Sequence, residues 1–313
     1  MASFANFALI LICLVAGFIL RRLATTPKGM AHALNVFVIY VAFPALVFGQ
    51  MPLLIQSIRL GPDFFIASSM AWIQIFVAIA IFAPLGRALG WPRATIGAVI
   101  LTAGFGNTSF VGFPLLEAFI GLSAIPTGIV VDQVGSFLSL STVGLICASI
   151  YAGARPTPQA ILRRVFRFPP FLALLMAAPL QLLFPRALEA LNAPLTKLGS
   201  TLVPLALVSV GLQLSFDLRS LRENALPLSL GLLAKLVLIP VIMLLLYVYG
   251  FGSHSQTTLI TLIESAMAPM ITAAILVAEF KLNSELANLM VGVGIPLSLL
   301  TVWLWTSVFQ SLI

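Results

Sequence analysis

Three ionisable side chains stand inside long apolar runs of this chain: Asp132, Lys235 and Glu264. A charge at the centre of a membrane helix costs about 2.5–3.5 kcal/mol on insertion scales, so each needs a partner or a wet cavity. Lys235 lies about ten residues into its run, roughly 15 Å deep at 1.5 Å per residue, where snorkelling is difficult. It suits a counter-charge for an anionic substrate, or one member of a structural ion pair. Asp132 and Glu264 each lie about seven residues into their runs, roughly 10 Å deep. Each is a candidate proton relay or cation ligand; the alternative is a carboxylate hydrogen-bonded to serines or water near the interface. Glu117 and Glu279 lie nearer run ends and are expected to be solvated.

Uncharged polar groups and helix breakers accompany these charges. One run contains Gly104-Phe105-Gly106-Asn107-Thr108-Ser109-Phe110-Val111-Gly112-Phe113-Pro114, and another contains Glu264-Ser265-Ala266-Met267-Ala268-Pro269-Met270-Ile271-Thr272. Glycine and proline inside a span free backbone groups that protein or a water-filled cavity must satisfy. Asn107, Thr108 and Ser109 are the nearest side chains able to do so, and an amide can donate and accept at once. Breaks are expected at Pro114 and Pro269, with Met270 beside the second. The plainer alternative is a proline kink lined by small packing residues.

The elements that must position these groups follow from composition. Of 313 residues, 61% are hydrophobic and 8% charged, with a mean hydropathy of +1.14. Soluble domains are about 25% charged, so an ordinary soluble enzyme, a disordered chain and a nucleic-acid binder are excluded. Cys13 and Cys147 both lie in apolar runs and read as packing residues. A membrane helix needs about 20 apolar residues. Such runs occur at roughly 4–20, 33–51, 63–85, 94–121, 125–150, 168–185, 198–216, 225–249, 257–279 and 285–311. Arg21 and Arg22 follow the first run rather than precede it, so it reads as a span and not as a secretory signal.

Loop charge orients the spans. Twelve of the 16 Lys and Arg lie in loops after odd-numbered spans, among them Arg59's opposites Arg87 and Arg93. Three, Arg59, Arg186 and Lys197, follow even-numbered spans. The positive-inside rule then puts both termini outside a cell membrane, the inner membrane in a bacterium.

The chain also repeats. Gly135-Ser136-Phe137-Leu138-Ser139-Leu140-Ser141-Thr142-Val143-Gly144-Leu145 aligns with Gly294-Ile295-Pro296-Leu297-Ser298-Leu299-Leu300-Thr301-Val302-Trp303-Leu304, identical at seven of eleven positions. This divides the chain into repeats at 1–153 and 168–313, joined by a basic cytoplasmic linker at 154–167. Five spans per copy is an odd number, so the second copy enters the membrane inverted. Inverted repeats with paired Gly/Pro-interrupted spans mark secondary transporters, with the site where the copies meet. The expected fold is therefore all-α and integral to the membrane, ten helices in two inverted five-helix repeats, with the fourth and ninth broken.

Asn107-Thr108 followed by Gly112-Phe113-Pro114-Leu115-Leu116 resembles the fourth helix of the auxin efflux carrier family. Leu34-Asn35, Tyr40, Pro44-Ala45-Leu46, Lys235, Pro240 and Ala268-Pro269 add to the likeness, which covers nearly the whole chain. The resemblance implies crossing broken helices near a binding site. It also implies a scaffold of helices 1, 2, 6 and 7 and a moving domain of helices 3–5 and 8–10, in an elevator-type homodimer. Its substrates would be small organic anions, auxin-like or dicarboxylates such as malonate. The chain departs from plant members in having Gly106 before Asn107-Thr108 where they have proline. It has Ser68-Ser69 where they carry an acid, and it lacks their long central loop.

Competing classes fare worse. An intramembrane aspartyl protease needs two embedded aspartates, and only Asp132 qualifies; His32 and His254 lie at span edges. No G-x-S-x-G, H-E-x-x-H or Walker motif occurs. A sodium-coupled carrier of the bile-acid-symporter type remains the main alternative. No cofactor is expected beyond H+ or Na+ as a coupling ion, and the partners expected are the bilayer, an organic anion and a second copy.

Overall fold

The computed structural model describes residues 2–57, 61–154, 157–214 and 218–313. Arg59 and Arg155, both part of the loop-charge pattern, lie outside the described residues. Helices make up the described chain, joined by turns, with one isolated β-bridge. Among the described residues six helices are long and apolar enough to cross a membrane: Met30–Ile55, Pro62–Ala88, Leu122–Tyr151, Pro185–Gln213, Ala225–Gly250 and Ser284–Leu312. Their outer faces carry large apolar side chains such as Leu233, Leu300 and Trp303, all exposed. Such a surface suits lipid, not water. The stretch 94–121 divides into Arg93–Gly104 and Thr108–Phe119. The stretch 257–279 divides into Gln256–Ser265 and Ile271–Glu279. The basic linker is not irregular chain, for Pro158–Val165 is helical.

Prolines inside these helices do not all break them. Pro44, Pro114 and Pro240 each follow a widened π turn, at Val38–Ala42, Thr108–Gly112 and Ala234–Leu238 respectively. A proline ring collides with the carbonyl one turn earlier and leaves it without a donor. The wider turn ahead of the ring moves that carbonyl aside and lets the helix run on. Pro114 therefore sits within a helix, and the interruption expected there falls upstream, at Phe105–Asn107.

The described chain packs as two compact units. The first comprises Met1–Gly61, Ser109–Ile129 and Arg164–Leu214. In it, helix Ala2–Arg22 lies against Leu202–Gln213. Gly17 and Gly211 meet there, and a Cβ on either would overlap the other helix's backbone, at Val208 O and Leu14 O respectively. Small residues bring helix backbones close where no hydrophobic drive exists between helices. Arg21 Nη1 donates to Leu214 O at the end of this pair. Ser209 donates to Asn35 Oδ1 at 2.5 Å. The core of this unit gathers Phe43, Val47, Met51, Ile125, Leu202 and Phe113, whose ring meets Phe43 edge-on at 5.3 Å.

The second unit comprises Pro62–Thr108, Val130–Arg163 and Ser215–Ile313. Helix Pro62–Ala88 touches Arg93–Gly104, Val131–Phe137 and Gln256–Ser265. The glycines that open the two repeat motifs both lie under a close neighbour. A Cβ on Gly135 would stand 3.2 Å from Ser68 O, and one on Gly294 only 2.6 Å from Pro269 Cδ.

Candidate functional site

Two interrupted helices in the second unit are joined at their breaks. Gly106 and Pro269 face each other in an antiparallel bridge. Asn107 N–H donates to Ala268 O at 2.7 Å, and Met270 N–H donates to Phe105 O at 3.0 Å. These bonds flank the bridged residues, so Gly106 and Pro269 form a non-hydrogen-bonded pair. Proline's missing N–H therefore costs nothing at position 269. Glycine at 106 leaves space: a Cβ there would lie 3.2 Å from Lys235 Nζ and 3.4 Å from Glu264 O.

Lys235 lies on the π turn that precedes Pro240 and is fully buried. Its Nζ donates to Ser265 O at 3.0 Å and to Gln74 Oε1 at 3.2 Å. Gln74 Nε2 in turn donates to the same carbonyl at 3.1 Å. Ser265 is the last residue of Gln256–Ser265, so its carbonyl lacks an intrahelical donor and sits at the negative end of the helix dipole. The lysine and the glutamine together cap that end. Among the described residues Lys235 makes no direct salt bridge, although Glu264 is near enough to act on its charge. An ammonium carries three donors, and these two bonds leave one for another acceptor.

The carboxylates differ sharply. Asp132, on the π turn Val131–Phe137, accepts from Thr108 Oγ1 at 2.5 Å and from Gln133 Nε2 at 2.6 Å. Thr108 is buried at the restart of the interrupted span, so Asp132 anchors that helix end. Glu264 is fully buried, yet neither of its oxygens has a hydrogen-bond partner among the described residues. It immediately precedes the capped carbonyl of Ser265. Ser136 and Ser141 Oγ are likewise buried without partners, so the unit's interior keeps polar capacity in reserve.

Asn107, Thr108, Asp132, Lys235, Glu264, Pro269 and Met270 thus all fall in one unit. Ser109 and Pro114, also buried, belong to the other. Gln74 and Gln133 were not singled out by the sequence. Their signal was slight, a single amide within Ile73–Ile75 and another beside Asp132. Glu279 is exposed, as expected, but Glu117 is only part-buried and lines a cavity instead of standing in solvent. No cluster of three metal-ligating side chains occurs among the described residues.

Residues 2–306 match the family described as membrane transport protein. An uncharacterized transporter of Methanothermobacter thermautotrophicus is 26% identical over 302 residues, covering 96% of each chain. An uncharacterized transporter of Methanocaldococcus jannaschii is 24% identical over 214 residues, covering 66% of this chain and 67% of the relative. With interrupted helices lined by polar groups and a family match along nearly its full length, the chain belongs to the membrane transport protein family, that of the auxin efflux carriers.

Proposed function

We propose that this transporter is a secondary carrier of small organic anions, dicarboxylates or auxin-like acids, whose site is the joined break of the fourth and ninth spans. The observation that carries this reading is Lys235: a buried ammonium with no direct salt bridge among the described residues, beside the break at Gly106. The nearby helix starts at Thr108 and Ile271 add N–H groups and partial positive charge. Asn107 and Thr108 would orient the anion, with Pro269 and Met270 forming part of the wall.

The remaining features of the reading follow the inverted-repeat plan. Ten spans in two inverted copies would place both termini outside. Helices 3–5 and 8–10 would move as an elevator against a scaffold of helices 1, 2, 6 and 7, within a homodimer. The packing into two units follows this division except at Ser109–Ile129, which falls with helices 1, 2, 6 and 7. Asp132 and Glu264 are the carboxylates able to carry coupling H+ or Na+. Glu264 is the stronger candidate because its oxygens lack partners.

Uptake into proteoliposomes tests the assignment. A panel of mono- and dicarboxylates is offered under a pH gradient, a sodium gradient or neither. We expect accumulation of at least one carboxylate, and its loss in Asn107→Ala with the protein still monodisperse. Full transport by Asn107→Ala removes the basis for this site. Strict sodium dependence favours the bile-acid-symporter type of coupling.

A further inference from the structure

The linker between the two repeats carries chemistry of its own. Pro158–Val165 is a helix, and the next helix, Pro169–Leu183, leaves it at 65°. The sequence dictates that bend. A residue before proline is pushed out of the helical region, and Phe168, ahead of Pro169, is extended at φ −88° and ψ 110°. Pro169–Leu183 corresponds to the sixth apolar stretch. A helix turned 65° from an upright span runs nearer the membrane plane than its normal.

The two sides of this helix differ. At about 100° per residue, Ile161, Leu162 and Val165 share one side, while Arg163 and Arg164 lie on the other. Val165 is buried and Ile161 half-buried, so part of the apolar side packs on the protein. Leu162 is 55% exposed, as is Phe166 just past the helix end. Arg163 and Arg167 are exposed too. No Asp or Glu occurs between Gln133 and Leu188, so no acidic side chain nearby in sequence offsets this charge. Water suits the arginines but not Leu162 and Phe166; acyl chains suit the reverse. The boundary between headgroups and acyl chains receives both, and it holds arginine more strongly where the leaflet is anionic. Orientation by loop charge requires neither a helix nor exposed apolar side chains beside it.

We propose that Pro158–Val165 lies in the headgroup layer, where Arg163 and Arg167 bind anionic lipid headgroups and Leu162 and Phe166 enter the upper acyl chains. The chemistry recognised is net negative charge on the lipid and not phosphate alone, because a choline headgroup cancels its phosphate with a trimethylammonium. The proposal rests on reading Pro169–Leu183 as a span. It is independent of the substrate and of the side that the linker faces.

Two measurements on the full chain test this. In native mass spectrometry the protein meets an equimolar mixture of phosphatidylglycerol and phosphatidylcholine of identical acyl chains. We expect the first lipid retained to be the anionic one at least about tenfold more often. Arg163→Gln with Arg167→Gln should remove most of that preference, whereas Arg186→Gln, at an exposed cation elsewhere in the chain, should leave it in place. Equal retention of the two lipids by the unmodified protein overturns the proposal, and so does a preference that the double substitution leaves intact. The second measurement reads depth. Nitroxides are placed by Leu162→Cys, Phe166→Cys or Leu175→Cys in a Cys13→Ser, Cys147→Ser background, in bilayers containing phosphatidylglycerol; Leu175 is an exposed position within Pro169–Leu183. Collision with oxygen, which concentrates among acyl chains, is compared with collision with a water-soluble nickel chelate. We expect oxygen to dominate at all three positions. Water contact at Leu162 and Phe166 with oxygen contact at Leu175 overturns the proposal and leaves the span intact. Water contact at all three overturns the span reading together with the proposal.

Discussion

The buried polar side chains of the first unit are Ser109, Thr127 and Ser209, whereas those of the second include Gln74, Asn107, Asp132, Gln133, Lys235 and Glu264. The first closes on glycines that bring backbones into contact, as Gly17 and Gly211 do. The second interrupts its helices with glycine and proline, then satisfies the freed backbone with side chains, as Lys235 and Gln74 do at Ser265 O. Both use small residues, with opposite results. Where a glycine faces backbone, it tightens packing. Where Gly106 faces an ammonium, it leaves room for chemistry. Residue type alone does not distinguish the two uses; the neighbour does.

The largest effect should come from filling a backbone contact in the first unit. Gly211→Leu must displace Leu14 O, and overpacking commonly costs about 1–3 kcal/mol or more. We expect poor recovery and early melting by size-exclusion chromatography and thermal denaturation. Normal melting would mean that the close packing there is dispensable.

Next comes Lys235→Ala. Losing the ammonium leaves Gln74 Oε1 without its donor, while Ser265 O keeps Gln74 Nε2, at about 1–3 kcal/mol for the group left unsatisfied. If the lysine also meets substrate, apparent affinity in uptake assays should fall by more than about tenfold, equivalent to 1.4 kcal/mol. Lys235→Arg should retain part of the activity, limited by its different geometry. Normal affinity with early melting would reduce Lys235 to a helix cap.

Gly106→Ala sharpens the contrast between the two kinds of glycine. Its Cβ meets Lys235 Nζ at 3.2 Å, and the far end of a lysine can yield. We expect a folded protein whose transport is reduced several-fold, about 1 kcal/mol in apparent affinity. A collapse of folding like that of Gly211→Leu would erase the distinction. The smallest change is Thr108→Val, which removes one donor from Asp132 and leaves Gln133 Nε2 in place. A hydrogen bond to a charged group contributes about 1.5–3 kcal/mol, so a modest fall in melting temperature should accompany altered ion dependence of uptake.

Much of the architecture was legible because apolar run length and interior charge are one-dimensional signals. Helix occupies the stretches read from hydropathy, and the second break lies around Pro269, between Ser265 and Ile271. The first was misplaced at Pro114. A proline announces a missing donor, but whether the helix breaks or widens depends on the turn before it, which hydropathy does not encode. The break fell instead at Gly106, whose signal was shared with the neighbouring Gly104 and Gly112. Gln74 escaped notice because its role depends on a carbonyl 191 residues away in the chain. Asp132, Lys235 and Glu264 were found by charge alone, but their hydrogen bonding, which separates a satisfied carboxylate from an unsatisfied one, needed three dimensions.

The bridge between Gly106 and Pro269 also bears on how this chain can diverge. Its two bonds use only main-chain atoms of Phe105, Asn107, Ala268 and Met270. Side chains at 105, 268 and 270 can therefore change without removing either bond, provided the new group fits. A single-residue insertion or deletion inside either break is different. It shifts the pairing by one, turns alternate side chains to the opposite face and brings proline's absent N–H into the ladder. At this joint, length is the inherited constraint and lettering is comparatively free. Drift should accumulate there as replacements, not as gaps.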